Sequence, residues 1–112
     1  MATFISLAIS DTMFPAEASL SKSVASPDMV REAVENGAVS ALNPSHASTI
    51  DVIRRKFNLE LPIPERAPKV ALQSGDALIV IQAQLPRLNE GETHKPETVE
   101  NAVIKFSLWT VK

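Results

Sequence analysis

Residues 77-ALIVIQAQL-85 form a run that is almost continuously apolar. A strand with one face in water alternates apolar and polar residues, so a run that does not alternate is expected to be buried on both faces. That requirement constrains the rest of the chain. Something must cover each side of this strand, and neighbouring strands must pair with both of its edges. At 112 residues the chain reads as one domain, 1–112, with a single core. A hydrophobic content of 45% is enough to fill that core and argues against disorder.

The flanking segments supply the partners. Thr3 to Ile9 reads as a first apolar strand, left through the polar turn Ser10-Asp11-Thr12, with Pro15 blocking regular continuation. Residues 18–24, ASLSKSV, alternate weakly, as an edge strand does. Ser26-Pro27-Asp28 is a helix start, with a hydroxyl N-cap, proline at the first helical position and an acid in the first turn. Met29, Val30, Ala33 and Val34 recur at helical spacing until Asn36-Gly37. Val39 to Leu42 is expected to be a short central strand ending at Asn43-Pro44.

A second helix follows, with Ser48-x-x-Asp51 as its capping box and Ile50, Ile53 and Phe57 as its buried stripe. Asn58 is its stop, and Pro62, Pro64 and Pro68 imply an extended connection beyond it. Lys69 to Leu72 reads as another strand, and Ser74-Gly75-Asp76 as the turn into the apolar run. Pro86 to Glu92 reads as a loop, Thr93 to Ala102 as a short helix and 103-VIKFSLWTV-111 as an alternating closing strand. Strands interleaved with helices give an α/β (α+β) fold, a mixed sheet flanked by helices.

Composition narrows the function. Eleven basic and 13 acidic residues give a net charge of −2, against a general duplex nucleic-acid binder. The five aromatics other than histidine, Phe4, Phe14, Phe57, Phe106 and Trp109, mostly fall in core patterns, which leaves little for base stacking. The chain has no cysteine, which excludes thiol chemistry, and only His46 and His94 could offer imidazole to a metal; no metal and no cofactor are expected. MATFISLAIS lacks a basic leader region and is too short to span a bilayer, so no membrane partner is expected and the cytoplasm is the expected location.

The chemistry concentrates in 42-LNPSHASTIDVIRRKF-57. A histidine beside a helix N-cap is most often a solvated loop residue. The alternative uses the field of the helix: amide N–H groups and the hydroxyls of Ser45, Ser48 and Thr49 make an anion site. A phosphodiester held there favours the imidazolium, and so charges its own general acid. After the most apolar strand comes 85-LPRLNEGE-92, where Arg87 can fork onto a phosphate and Glu90 can orient a hydroxyl or accept a proton. That loop can equally be a solvated Arg/Glu pair, and Ser10 can be simple turn chemistry.

Taken in order, these segments resemble the small viral ring nuclease family, an anti-CRISPR group of archaeal viruses, bacteriophages and mobile elements. The resemblance rests on the opening strand and its serine turn, on Ser45-His46-Ala47-Ser48-Thr49, and on 75-GDALIVIQAQL-85. It also rests on Arg87-Leu88-Asn89-Glu90-Gly91 and on the closing strand with its tryptophan. It implies a homodimer with a pocket across the two-fold axis that takes cyclic tetra-adenylate, the messenger made by type III CRISPR complexes. It also implies metal-free cleavage, with His46 as general acid, Arg87 on the scissile phosphate and Glu90 on the ribose hydroxyl or the histidine. Ser10, Ser45, Ser48, Thr49 and Arg66 are the implied ligand contacts. Family members usually carry glycine where this chain has Ser45, and asparagines where it has Leu7 and Thr12. Two other classes stay open: a binding protein that sequesters a cyclic nucleotide, and a viral accessory protein that binds DNA through residues such as Arg54 and Arg55.

Overall fold

A computed structural model describes residues 2–66, 68–84 and 103–112. Five strands and two helices occur among them: β1 Thr3–Ser6, β2 Leu20–Val24, α1 Pro27–Glu35, β3 Val39–Ser40, α2 Ala47–Phe57, β4 Ala77–Gln84 and β5 Val103–Val111. The strands form one mixed sheet in the order β2-β5-β4-β1-β3. β1 runs parallel to β3 and to β4, while β5 runs antiparallel to β4 and to β2. The sheet therefore has a parallel half, whose strands share one carboxyl edge, and an antiparallel half.

The apolar run is β4, and it is sealed on both sides. Ile79 and Ile81 face the helices, in a core with Ile5, Val30, Ile50 and Ile53. Leu78 and Val80 face the opposite way, into a second core with Val70, Leu72 and Val111. Neither α1 nor α2 contributes to that second core; irregular chain and the 3₁₀ turn at Asp11–Met13 do. Residues Ile9, Met13 and Phe14 pack over it from one segment, and Val70 and Leu72 from another. The Leu72 amide donates to the Met13 carbonyl at 2.7 Å, which ties the two covers together.

Local chemistry explains the first helix. The Ser26 hydroxyl accepts from the Met29 amide, Pro27 occupies the first turn, and Gly37 takes φ 87° just past the end. Arg31 then clasps the helices together by donating to the carbonyls of Phe57 at 3.1 Å and Asn58 at 3.3 Å. α2 ends where Asn58 turns left-handed at φ 52°, a conformation asparagine tolerates better than other non-glycine residues. Phe57 meets Phe106 edge to face, with centroids 5.0 Å apart.

Four expectations are corrected. The first strand stops at Ser6 rather than Ile9, because the Ser6 side chain accepts from the Ala8 amide and bends the chain away. Val39–Ser40 is a two-residue edge strand and not a central one; it pairs with β1 alone, and the Ser40 hydroxyl turns outward to the Pro62 carbonyl. Lys69 to Leu72 is not a strand, although Val70 and Leu72 are buried. Its alternation reflects cover over the sheet. The Ser48 capping box does not form either. A 3₁₀ turn at Pro44–His46 brings the chain in earlier, so Ser48 lies inside the helix and Asp51 pairs with Arg55 at 3.3 Å. The edge strand read at 18–24 forms over Leu20–Val24, two residues later at its start, and the turn at Gly75, β4 and β5 lie where the sequence put them. The loop expected at Pro86 to Glu92 and the helix expected at Thr93 to Ala102 lie outside the described residues.

Candidate functional site

The carboxyl ends of β1, β3 and β4 lie on one edge of the sheet, where ligands of open α/β sheets characteristically bind. β1 delivers Ser6 and Leu7 to this edge. β3 leads through Ala41 to Asn43, whose side chain accepts from the Ser45 amide at 2.9 Å and closes the 3₁₀ turn. That turn presents His46 at the mouth of α2. His46 is the N-cap of the helix, yet it makes no side-chain cap bond, so the first-turn amides of Ser48 and Thr49 have no side-chain acceptor among the described residues.

Two clefts open at this edge, and His46 with Leu7 lines both. The larger, of about 310 Å³, is also bounded by Ser6, Thr12, Met13, Asn43, Lys69 and Val70. The smaller, of about 150 Å³, is completed by Thr49, Ile81 and Ala83. His46 is thus the wall between two compartments, beside the positive end of a helix. A group of charge-bearing oxygens bound at that wall would meet helix amides and an imidazole together.

Of the residues expected from the sequence, His46 and Thr49 line the clefts. Ser10 does not; its hydroxyl caps the turn at Asp11–Met13, contacting the Thr12 hydroxyl at 2.9 Å, while Thr12 lines the larger cleft. Ser45, Ser48 and Arg66 are exposed and outside both linings. Arg87 and Glu90 lie outside the described residues. Sequence reasoning missed Ser6, Asn43 and Lys69 as cleft residues. Ser6 could have been noticed as the one polar residue inside the apolar run from Phe4 to Ile9. Lys69 carried no such mark. Among the described residues no three His, Cys, Asp or Glu side chains are grouped to hold a metal ion, and no helix is long and apolar enough to cross a membrane.

A family model described as STIV B116-like matches residues 6–108, and so takes in every residue lining the two clefts. The chain belongs to the STIV B116-like family. Among solved structures it is similar to B116 of Sulfolobus turreted icosahedral virus, with a TM-score of 0.69 and 17% sequence identity. That likeness covers 98% of this chain and 99% of that one, and at such identity it speaks for the fold. No curated protein sequence matches the chain. Membership of the B116-like family, named for a protein of an archaeal virus, agrees with the viral character expected from the sequence.

Proposed function

We propose that this B116-like protein is a metal-independent ring nuclease. It binds cyclic tetra-adenylate, cuts it to short linear adenylates ending in a 2′,3′-cyclic phosphate, and so counters type III CRISPR immunity in the host cytoplasm. The observation that carries this reading is the position of His46, at the mouth of α2 on the wall shared by two clefts. A phosphodiester seated on that wall lies against the helix N-terminus, and the larger cleft has room for a nucleotide unit beside it.

In the reaction, the ribose 2′-oxygen attacks the adjacent phosphorus and the bond from phosphorus to the 5′-oxygen breaks. His46 delivers a proton to the departing 5′-oxygen, and the amides of Ser48 and Thr49 favour the negative charge on the phosphoryl oxygens. Arg87 holds the scissile phosphate, and Glu90 positions the 2′-hydroxyl and accepts its proton. Thr49 contacts the ring from the smaller cleft, whereas Ser10, Ser45 and Arg66 line neither cleft and are not among its contacts. Two copies of the chain related by a two-fold axis present the same groups to opposite sides of a ring that has its own symmetry.

The test is incubation of the purified protein with cyclic tetra-adenylate in excess EDTA, with products resolved by chromatography. The reading expects linear products with cyclic phosphate ends. Tight binding with the ring intact would make the protein a sequestering one, and absence of binding would remove the messenger assignment.

A further inference from the structure

We infer that the larger cleft is a phosphate subsite, in which Ser6, Asn43 and Lys69 hold a phosphate of the nucleotide next to the one cut at His46. The nucleotide rests on the function proposed above; the phosphate rests on the lining alone. Ser6 is the one buried polar residue among the described residues, only 5% exposed. Its oxygen accepts from the Ala8 amide at 3.2 Å, while its hydroxyl hydrogen has no acceptor among the described residues. Buried polar groups as a rule find partners, so a buried donor without one marks a place where something else is received.

The neighbours on the lining have the same polarity. Asn43 uses its carbonyl oxygen on the Ser45 amide at 2.9 Å, and its NH₂ donates to none of the described residues. The Lys69 ammonium forms no ion pair among the described residues, and the lining contains no Asp or Glu. Two neutral donors, one cation and no carboxylate select a ligand that is rich in acceptors and negatively charged. The cleft's roughly 310 Å³ exceeds what a bare phosphate fills, and the Leu7, Met13 and Val70 walls suit the sugar or base attached to it. Because His46 also bounds this cleft, the bound phosphate belongs to a unit adjacent to the reacting linkage.

The experiment is a ¹H–¹⁵N NMR titration at low salt with AMP, with inorganic phosphate and with adenosine, on the wild type and on Lys69→Ala and Ser6→Ala. AMP and phosphate are expected to shift the Asn43 side-chain amide and the Ala8 backbone amide saturably. Lys69→Ala is expected to weaken both titrations by roughly tenfold, the scale of one charge-assisted contact. Lys69 is exposed and outside the core, so this variant keeps the fold and remains decisive even if Ser6→Ala disturbs the end of β1. No saturable shift with either phosphate compound, shifts unchanged in Lys69→Ala, or a response to adenosine equal to that of AMP would overturn the assignment. None of these probes is a ring, so failure of ring cleavage and failure of this subsite are separate results.

Discussion

Leu78→Ala should destabilise the protein as severely as Ile79→Ala, although the two side chains point to opposite faces of β4. Both are buried, Leu78 in the core roofed by irregular chain and Ile79 in the core roofed by helices. Each change removes three carbons, about 2.4 kcal/mol at roughly 0.8 kcal/mol per buried methylene. The cavity left behind brings the expected cost to about 2–5 kcal/mol. A domain of this size has on the order of 6–17 kcal/mol to lose. Val24→Ala on β2 is the control: Val24 is 88% exposed, and the change should stay within about 0.5 kcal/mol. Urea unfolding followed by circular dichroism at one fixed protein concentration measures all three. With a slope of about 1–3 kcal/mol per molar, either core variant should lower the midpoint by about 0.7 M or more. If Ile79→Ala shows the full loss and Leu78→Ala loses less than about 1 kcal/mol, the second face is not sealed, and reading burial on both faces from the apolar run was wrong.

Three further outcomes follow from single contacts. Asp76 accepts from the Ala2 amide at 2.9 Å and the Gln73 amide at 3.0 Å, and these bonds hold its carboxyl below the usual value of 3.8. A lowered folded pKa gives stability that is present above the ordinary value and lost as pH falls through the lowered one, so Asp76→Asn should be less stable than wild type at neutral pH and converge with it in acid, as read by thermal melts across pH. Arg31→Ala removes the clasp from α1 to the carbonyls ending α2 and should cost about 1–2 kcal/mol in chemical denaturation, the clasp being partly exposed to water. Asn58, at φ 52°, should accept glycine with little change or a gain, whereas Asn58→Ala should lose about 1 kcal/mol in the same assay.

How much of this was legible in the sequence depends on the kind of signal. Caps and left-handed stops are written in one to three residues, so Ser26-Pro27-Asp28, Gly37 and Asn58 marked their elements correctly. Burial without alternation marked β4, since no other environment suits ALIV. Residues 69–72 misled because buried cover alternates as a strand does: Val70 and Leu72 point to the sheet, but the Leu72 amide pairs with an irregular segment. Ser48 misled because Asn43 offered the chain an earlier start through its own side chain.

The same division holds at the site. His46 and Thr49 were visible as a helix mouth, which is local. The convergence of Ser6, Asn43 and Lys69 on one cleft joins three segments distant in sequence, and it follows from the parallel pairing of β1 with β3 and from the return of residues 68–70 to that edge. Nothing in the spacing of those three residues announces it.

The central claim is that His46 is the acid that releases the 5′-oxygen, and the most direct test is a single-turnover measurement on cyclic tetra-adenylate with wild type and His46→Ala, each saturated with ligand and free of divalent ions. The account predicts that wild type opens the ring and that His46→Ala still binds it but cuts about 10²–10⁴-fold more slowly. A ring left whole by the wild type, or cut equally fast by His46→Ala, would contradict it and return His46 to the role of a solvated residue at the end of a helix.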